Sequence, residues 1–287
     1  MISGLKEKAH AFAQRWRKAL SEGPKHFVIW FILLFALGPL SIVVAISFKN
    51  NKQFFNHPWL LSPPFHLENW ERGWDQIGGT ILNSIFISFT ATSATLVIAT
   101  FAAFFFARFR MPGKGFLWAL YMTLFLMPHV INLIPLFSLL RAYGLLNTLS
   151  ALIIVYTAGG QVICVYLLRG FIEDIPGDLF DAAQIDGASH MQQVRTIVVP
   201  MCLPILSTLA ILRFIASWNE FILALIVLRD EAKFPIGVRL YQLEGAYLKE
   251  WGPLMATYAI ASIPLIILFI FTMKYFVRGI ATGAVKG

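Results

Sequence analysis

Charge is scarce in this chain. Asp, Glu, Lys and Arg make up only 13% of its 287 residues, against about 25% in an ordinary soluble domain. So few charges cannot cover a soluble surface of this size, which excludes a water-soluble globular protein. Cysteine is nearly missing as well. Cys164 and Cys202 fall in or at the edge of apolar runs, so no disulfide framework is implied and no metal-ligand spacing is present. His129 has no second ligand at a suitable spacing. No Ser/His/Asp, HExxH or paired-carboxylate pattern stands out, and catalysis has no support. Gly113-Lys114-Gly115 lacks the rest of a phosphate-binding Gly-x-x-x-x-Gly-Lys-Ser/Thr loop. Internal repeats and low-complexity tracts are also lacking.

What is abundant is apolar sequence: 58% of residues are hydrophobic, and the mean hydropathy is +0.71. A helix needs about 20 apolar residues to cross a bilayer core. Six segments qualify, at 27–48, 81–107, 116–140, 151–168, 201–228 and 254–277. Backbone groups in lipid must be satisfied internally, so the expected class is all-α, a polytopic membrane protein of six spanning helices. The polar lead, 1–26, is too long for an ordinary signal peptide, and the first apolar run reads as a retained anchor. With Trp16 among basic residues, that lead is expected to lie on the membrane surface as an amphipathic tail.

The net charge is +8, with pI near 9.6. The basic residues flank apolar runs and form no separate patch, which fits anionic headgroups and not nucleic acid. Six spans put both ends on one side. That side holds 14 Lys and Arg residues and the other holds 8, so both termini are expected in the cytoplasm. Two outer segments follow, about 49–80 and 229–252, and the longest inner loop covers 170–200, between the fourth and fifth spans.

That inner loop carries the most informative stretch, Asp181-Ala182-Ala183-Gln184-Ile185-Asp186-Gly187, continuing through Ile197 to Pro200. Pro176-Gly177 breaks the incoming helix, Asp178 can cap a new one with Asp181 in its first turn, and Gly187 permits a turn. Ser189 with Gln192 makes a capping box for a second helix. The reading is helix–turn–helix, with small Ala182 and Ala183 leaving room for another surface. A plain amphipathic connector and a DNA-reading helix–turn–helix are the alternatives.

The same stretch resembles the Glu-Ala-Ala signature of permease subunits in bacterial ATP-binding-cassette importers. Ala182, Ala183, Gly187, Ile197 and Pro200 stand at the signature positions, while Asp181 replaces Glu and Val199 replaces Leu. Leu145-Leu146-Asn147-Thr148, Ser217-Trp218-Asn219-Glu220-Phe221 and the ending Gly283-Ala284-Val285-Lys286-Gly287 are similar to the smaller permease subunit of maltose-type carbohydrate importers. The resemblance implies that Asp181 to Pro200, with Asp186, forms a coupling helix docked on an ATPase, and that a tail with Val285 and Lys286, within 278–287, reaches the ATPase interface. It further implies a second homologous permease subunit, a dimer of ATPase subunits that binds ATP and Mg, an extracytoplasmic solute-binding protein, and the bacterial inner membrane. No cofactor is expected on this chain. A secondary transporter subunit uncoupled from an ATPase is the rival, but such carriers normally show more spans and midplane ion ligands.

Other candidates lie in or beside the spans. Arg213 and Glu220 are seven apart with Ser217 between them, which puts them on one face of a single fifth-span helix. They read as a pathway face shared with a second subunit, as a buried ion pair, or with Arg213 reaching the cytoplasmic interface. Asn132 and Asn219 are further pathway candidates, Pro128 and Pro135 can bend the third span, and Asn83 and Gln161 suit interhelical hydrogen bonds. Tyr241, Leu243, Glu244 and Tyr247, beside Trp251, compose an outer loop suited to a transient interface with a binding protein.

Overall fold

The computed structural model describes residues 2–126, 132–245 and 249–284, with side chains over 22–126, 132–245 and 249–273. Among the described residues the secondary structure is helical, without strands. The helices are α1 (Ile2–Ser47), α2 (Asn51–Asn56), α3 (Glu68–Arg108), α4 (Lys114–Thr123), α5 (Leu133–Ala142), α6 (Leu149–Glu173), α7 (Gly177–Ile185), α8 (His190–Gln193), α9 (Val199–Met201), α10 (Leu203–Asn219), α11 (Ile222–Val227), α12 (Ile236–Glu244) and α13 (Trp251–Ala284).

Four of these contain stretches long and apolar enough to cross a membrane: Glu22–Ser47, Glu68–Arg108, Leu149–Glu173 and Trp251–Met273. Of the expected span at 116–140, the described residues show two apolar pieces, Lys114–Leu126 and Leu133–Ala142. The expected span at 201–228 is not a single helix. It is divided between α10 and α11, because Glu220 takes an extended backbone (φ −76°, ψ 120°). Its carboxylate then accepts from the Leu223 amide at 3.2 Å. A side chain that offers its own acceptor to a nearby amide competes with the helical ladder and ends it. Helix α3 starts 13 residues before the expected boundary at 81, with Glu68 and Glu71 in its first turn, where acidic groups favour a helix start.

The chain divides into two compact units, Met1–Gly73 with Leu248–Ile260, and Trp74–Tyr247 with Ala261–Gly287. In the first, asparagines organise the ends of helices. Asn50 caps α2 with a reciprocal Gln53 bond. Asn69 donates to the Ser47 and Lys49 carbonyls at 2.9 Å each. Asn51 accepts from the Trp251 amide at 2.9 Å, and Phe54 stacks on Trp251 at 4.8 Å. Lys49 is fully buried and donates to the His57 and Pro58 carbonyls. Burial without a carboxylate lowers its pKa. Most apolar side chains of Phe27–Leu40 are exposed, a surface fit for lipid or another apolar helix.

The second unit has two cores. One gathers Ala99, Ala103 and Phe104 of α3, Cys164, Leu168 and Ile172 of α6, Phe180 of α7, Val198, and Leu209 of α10. The other gathers Ile87 and Ala91 of α3, Leu152 and Tyr156 of α6, Leu223 and Val227 of α11, and Val238 of α12. Polar groups also tie these elements. Asn83 donates to the Ala232 and Phe234 carbonyls, and Gln161 donates to the Thr95 and Thr157 carbonyls. Asn147, at φ 60°, accepts from the Arg229 and Asp230 amides at 3.0 Å. Thr148 next to it caps α6. That pair accounts structurally for the Leu145–Thr148 segment.

Candidate functional site

The segment 176–201 folds as a helix, a tight turn and a second helical stretch. Pro176 precedes α7 without a side-chain cap bond, and Asp178 lies within the first turn. The expected Asp178 cap is therefore replaced by a carboxylate inside the turn, and Asp181 falls one turn later. The extended backbone of Pro176 itself starts the helix. Its end is a Schellman motif. Ala188 N–H donates to the Ala183 carbonyl at 2.8 Å and Gly187 N–H to that of Gln184 at 3.1 Å, with Gly187 at φ +76°. Glycine suits this left-handed position because it has no Cβ. The Ser189–Gln192 capping box is present, with the Ser189 amide donating to Gln192 Oε1 at 2.7 Å.

Beyond α8 the chain passes through a π-helical turn, Val194–Val198, into α9. The axis then bends by 81° into α10. A segment set across the axis of the following span is geometrically able to lie along a membrane surface. Val194 and Val198 are buried, Ile197 is half-buried and Pro200 is exposed. The outward face carries Asp181, Ala182, Gln184, Asp186 and Gly187, with Ala183 half-buried. Ile185 is 87% exposed at its edge. An isoleucine two positions before the turn glycine, in an otherwise polar stretch, was the signal that sequence reasoning passed over.

Arg108 was also missed. It ends α3, donates to the Ile172 carbonyl at 2.7 Å and to that of Ile175, and lies 4.2 Å over the buried Phe180 ring. Phe104 and Phe109 pack on His190 of α8. These contacts fasten both arms of the helix–turn–helix to the end of α3. Hydrogen bonds to a charged donor contribute about 1.5–3 kcal/mol. Arg108→Gln is therefore expected to raise amide hydrogen exchange in residues 177–185 by roughly tenfold or more. Unchanged exchange would show that α7 is held by its own turn alone.

A second polar cluster lies within the same unit. Tyr156 donates its hydroxyl to Glu220 Oε2 at 2.5 Å, and Arg213 Nη2 donates to the Tyr156 carbonyl at 3.3 Å. Of the readings open for Arg213 and Glu220, the direct ion pair does not form. The helix ends between them, so both residues meet α6 instead of each other. These residues, with Ser217, Leu133, Leu136 and Leu223, line a cavity of about 250 Å³. Asn219 is exposed at the end of α10, and Asn132 is exposed at the start of α5. Pro135 falls in the first turn of α5.

The outer segment expected as a loop contains α12. Tyr241 is 53% exposed with its ring 5.6 Å from Phe221. Leu243 is half-buried and Glu244 is exposed. Arg239 donates to Glu231 and Gln242 at 3.3 Å. Gly237 lets this helix close on Phe221, where a Cβ would meet another at 2.9 Å. Pro128, His129, Tyr247, Val285 and Lys286 lie outside the described residues, as does the side chain of Trp16.

Residues 95–282 match the family described as the inner membrane component of binding-protein-dependent transport systems. The chain is 37% identical over 263 residues to the probable ABC transporter permease protein YurM of Bacillus subtilis, covering 91% of this chain and 88% of that one. It is 31% identical over 260 residues to the trehalose/maltose transport system permease MalG of Thermococcus litoralis, covering 88% and 93%. It is 34% identical over 209 residues to the sulfoquinovosyl glycerol transport system permease SmoH of Agrobacterium fabrum, covering 72% and 73%. A chain of a bacterial ABC transporter involved in the import of alginate shares the fold, with TM-score 0.77 and 21% identity over 91% of this chain and 98% of that one. The chain belongs to the binding-protein-dependent transport system inner membrane components, as an ABC transporter permease.

Proposed function

We propose that this permease forms one of two membrane-spanning halves of an ATP-driven, binding-protein-dependent importer of sugars or oligosaccharides in the bacterial inner membrane. The observation that carries the coupling part is the capped helix–turn–helix at 177–193, with its small-residue face outward. A surface of that kind, held rigidly on α3 and bent away from α10, suits docking in a groove of a separate ATPase. The substrate class rests on relatives named for trehalose/maltose and for sulfoquinovosyl glycerol.

In this reading both termini are cytoplasmic and the spans are those of a six-span permease, with the fifth built from a broken helix. ATP and Mg sit on a dimer of ATPase subunits, and a second homologous permease completes the path. An extracytoplasmic solute-binding protein meets α12 around Tyr241, Leu243 and Glu244. Closure of the ATPase dimer on ATP moves Asp181–Pro200, and hydrolysis resets it. Transport then follows from differential binding of ATP and its products to two pore states.

The test is purification of the tagged chain from its native membrane. An ATPase and a second permease should copurify, and the loaded binding protein should stimulate ATP hydrolysis. A chain that purifies alone, or a complex with no such stimulation, would refute the reading. Orientation is checked separately by single cysteines in intact cells. Gln53→Cys and Glu244→Cys should react with an impermeant thiol reagent from outside, whereas Gln192→Cys should not.

A further inference from the structure

The cavity beside Tyr156 holds an unbalanced set of polar groups. Glu220 is supplied: one carboxylate oxygen accepts from the Tyr156 hydroxyl and the other from the Leu223 amide. Arg213 is not. Its Nη2 makes one long bond to the Tyr156 carbonyl, its Nε has no partner, and no carboxylate lies within ion-pair distance of it among the described residues. Ser217, only 6% exposed, lines the same cavity with a hydroxyl that has no partner. A buried hydroxyl and a guanidinium left short of acceptors inside an apolar span are both costly.

The Nε–Cζ edge of the guanidinium lies against α6. A Cβ on Gly160 would come within 2.6 Å of Arg213 Nε, so α6 offers bare backbone where the arginine lies. The unmet chemistry is that of an anion receiver, because arginine matches carboxylate and similar groups in a two-pronged fashion. The rest of the lining suits a sugar ring: Leu133, Leu136 and Leu223 give apolar surface, and Ser217 can bond a hydroxyl.

We propose that this cavity receives a ring of an acidic saccharide, with Arg213 binding its carboxylate or sulfonate and Ser217 a neighbouring hydroxyl. The proposal rests on the importer reading and adds the charge class of the cargo. Glu220 lines the same cavity, and its two oxygens are taken by the Tyr156 hydroxyl and the Leu223 amide.

The test uses the complete importer in lipid nanodiscs, without its binding protein, so that selectivity comes from the membrane part. Equilibrium binding is measured for glucuronate- and galacturonate-containing disaccharides and for their neutral counterparts. The acidic probes should bind at least tenfold tighter, about 1.4 kcal/mol. Arg213→Gln should erase that preference, Arg213→Lys should restore part of it, and Ser217→Ala should weaken both classes alike. A purely structural Arg213 would shift both classes together. Equal affinities in the unaltered protein, no binding of any probe, or a preference that survives Arg213→Gln would overturn the proposal. So would loss of the permease pair in Arg213→Gln with assembly rescued by Arg213→Lys but no acid preference, since the arginine would then serve an interchain ion pair. Binding-protein-stimulated ATP hydrolysis is measured on the same preparations. Its absence counts against the importer reading, whereas its presence without an acid preference counts against this inference alone.

Discussion

Ala182→Arg should cut the affinity of the permease for the ATPase proposed to dock on it about 100-fold, equivalent to about 2.8 kcal/mol. Ala182 lies on the outward face of α7, beside the exposed Ile185 and above a turn fixed by Gly187. A bulky cation there would separate the two surfaces over the whole small-residue patch and leave neighbouring apolar contacts unmade. Interface hot spots cost about 2 kcal/mol or more when disrupted. The apolar spans are untouched, so the chain should insert and be recovered at normal levels. Uptake and stimulated ATP hydrolysis should fall together, and the ATPase should wash off in detergent. Gly187→Val should reach the same end by another route, because a β-branched residue is strained at φ +76°. Gln184→Ala, on an exposed side chain, should be milder. Wild-type ATPase retention in both bulky variants would remove the docking role from this loop.

Gly160→Val is expected to reduce the yield of folded protein sharply, by destabilising the packing of α6 against α3 and α10. A Cβ at this position would lie 2.6 Å from Arg213 Nε and 2.8 Å from Thr95 Cγ2. Both are closer than side chains tolerate, and overpacking of this kind costs about 1–3 kcal/mol. Displacing Arg213 also breaks its bond to the Tyr156 carbonyl and leaves a half-buried cation with fewer acceptors. Gly170→Ala is the matched control on the same helix, since nothing lies within 4 Å of its Cβ. It should be neutral or slightly stabilising, because alanine is the better helix former by about 1 kcal/mol. Melting of the purified proteins, followed by size-exclusion chromatography, checks both. Equal melting of the two variants would mean that α6 and α10 can separate at no cost.

What could be read from the residues in order was local or compositional. Apolar runs announced helices in a bilayer because lipid leaves the backbone no other partner. The Ser189–Gln192 box and the Gly187 turn were legible because their bonds span three to five residues. The resemblance carried by Ala182, Ala183, Gly187, Ile197 and Pro200 singled out the segment that we propose to dock on an ATPase. Tertiary structure decided what depends on distant partners. Glu220 left the helical path to bond the Leu223 amide of α11 and to meet Tyr156, 64 positions away, which removed the ion-pair reading and split the segment expected as a fifth span. Arg108 reached carbonyls 64 and 67 positions on, and so braced a loop whose own sequence gives no hint of the brace. Helix α12 lies where a loop was expected, and Gly237 allows it to close on Phe221. Short-range bonds are written in neighbouring letters, whereas a buried charge chooses among all the acceptors that the fold brings within reach, and only the folded chain states which are near.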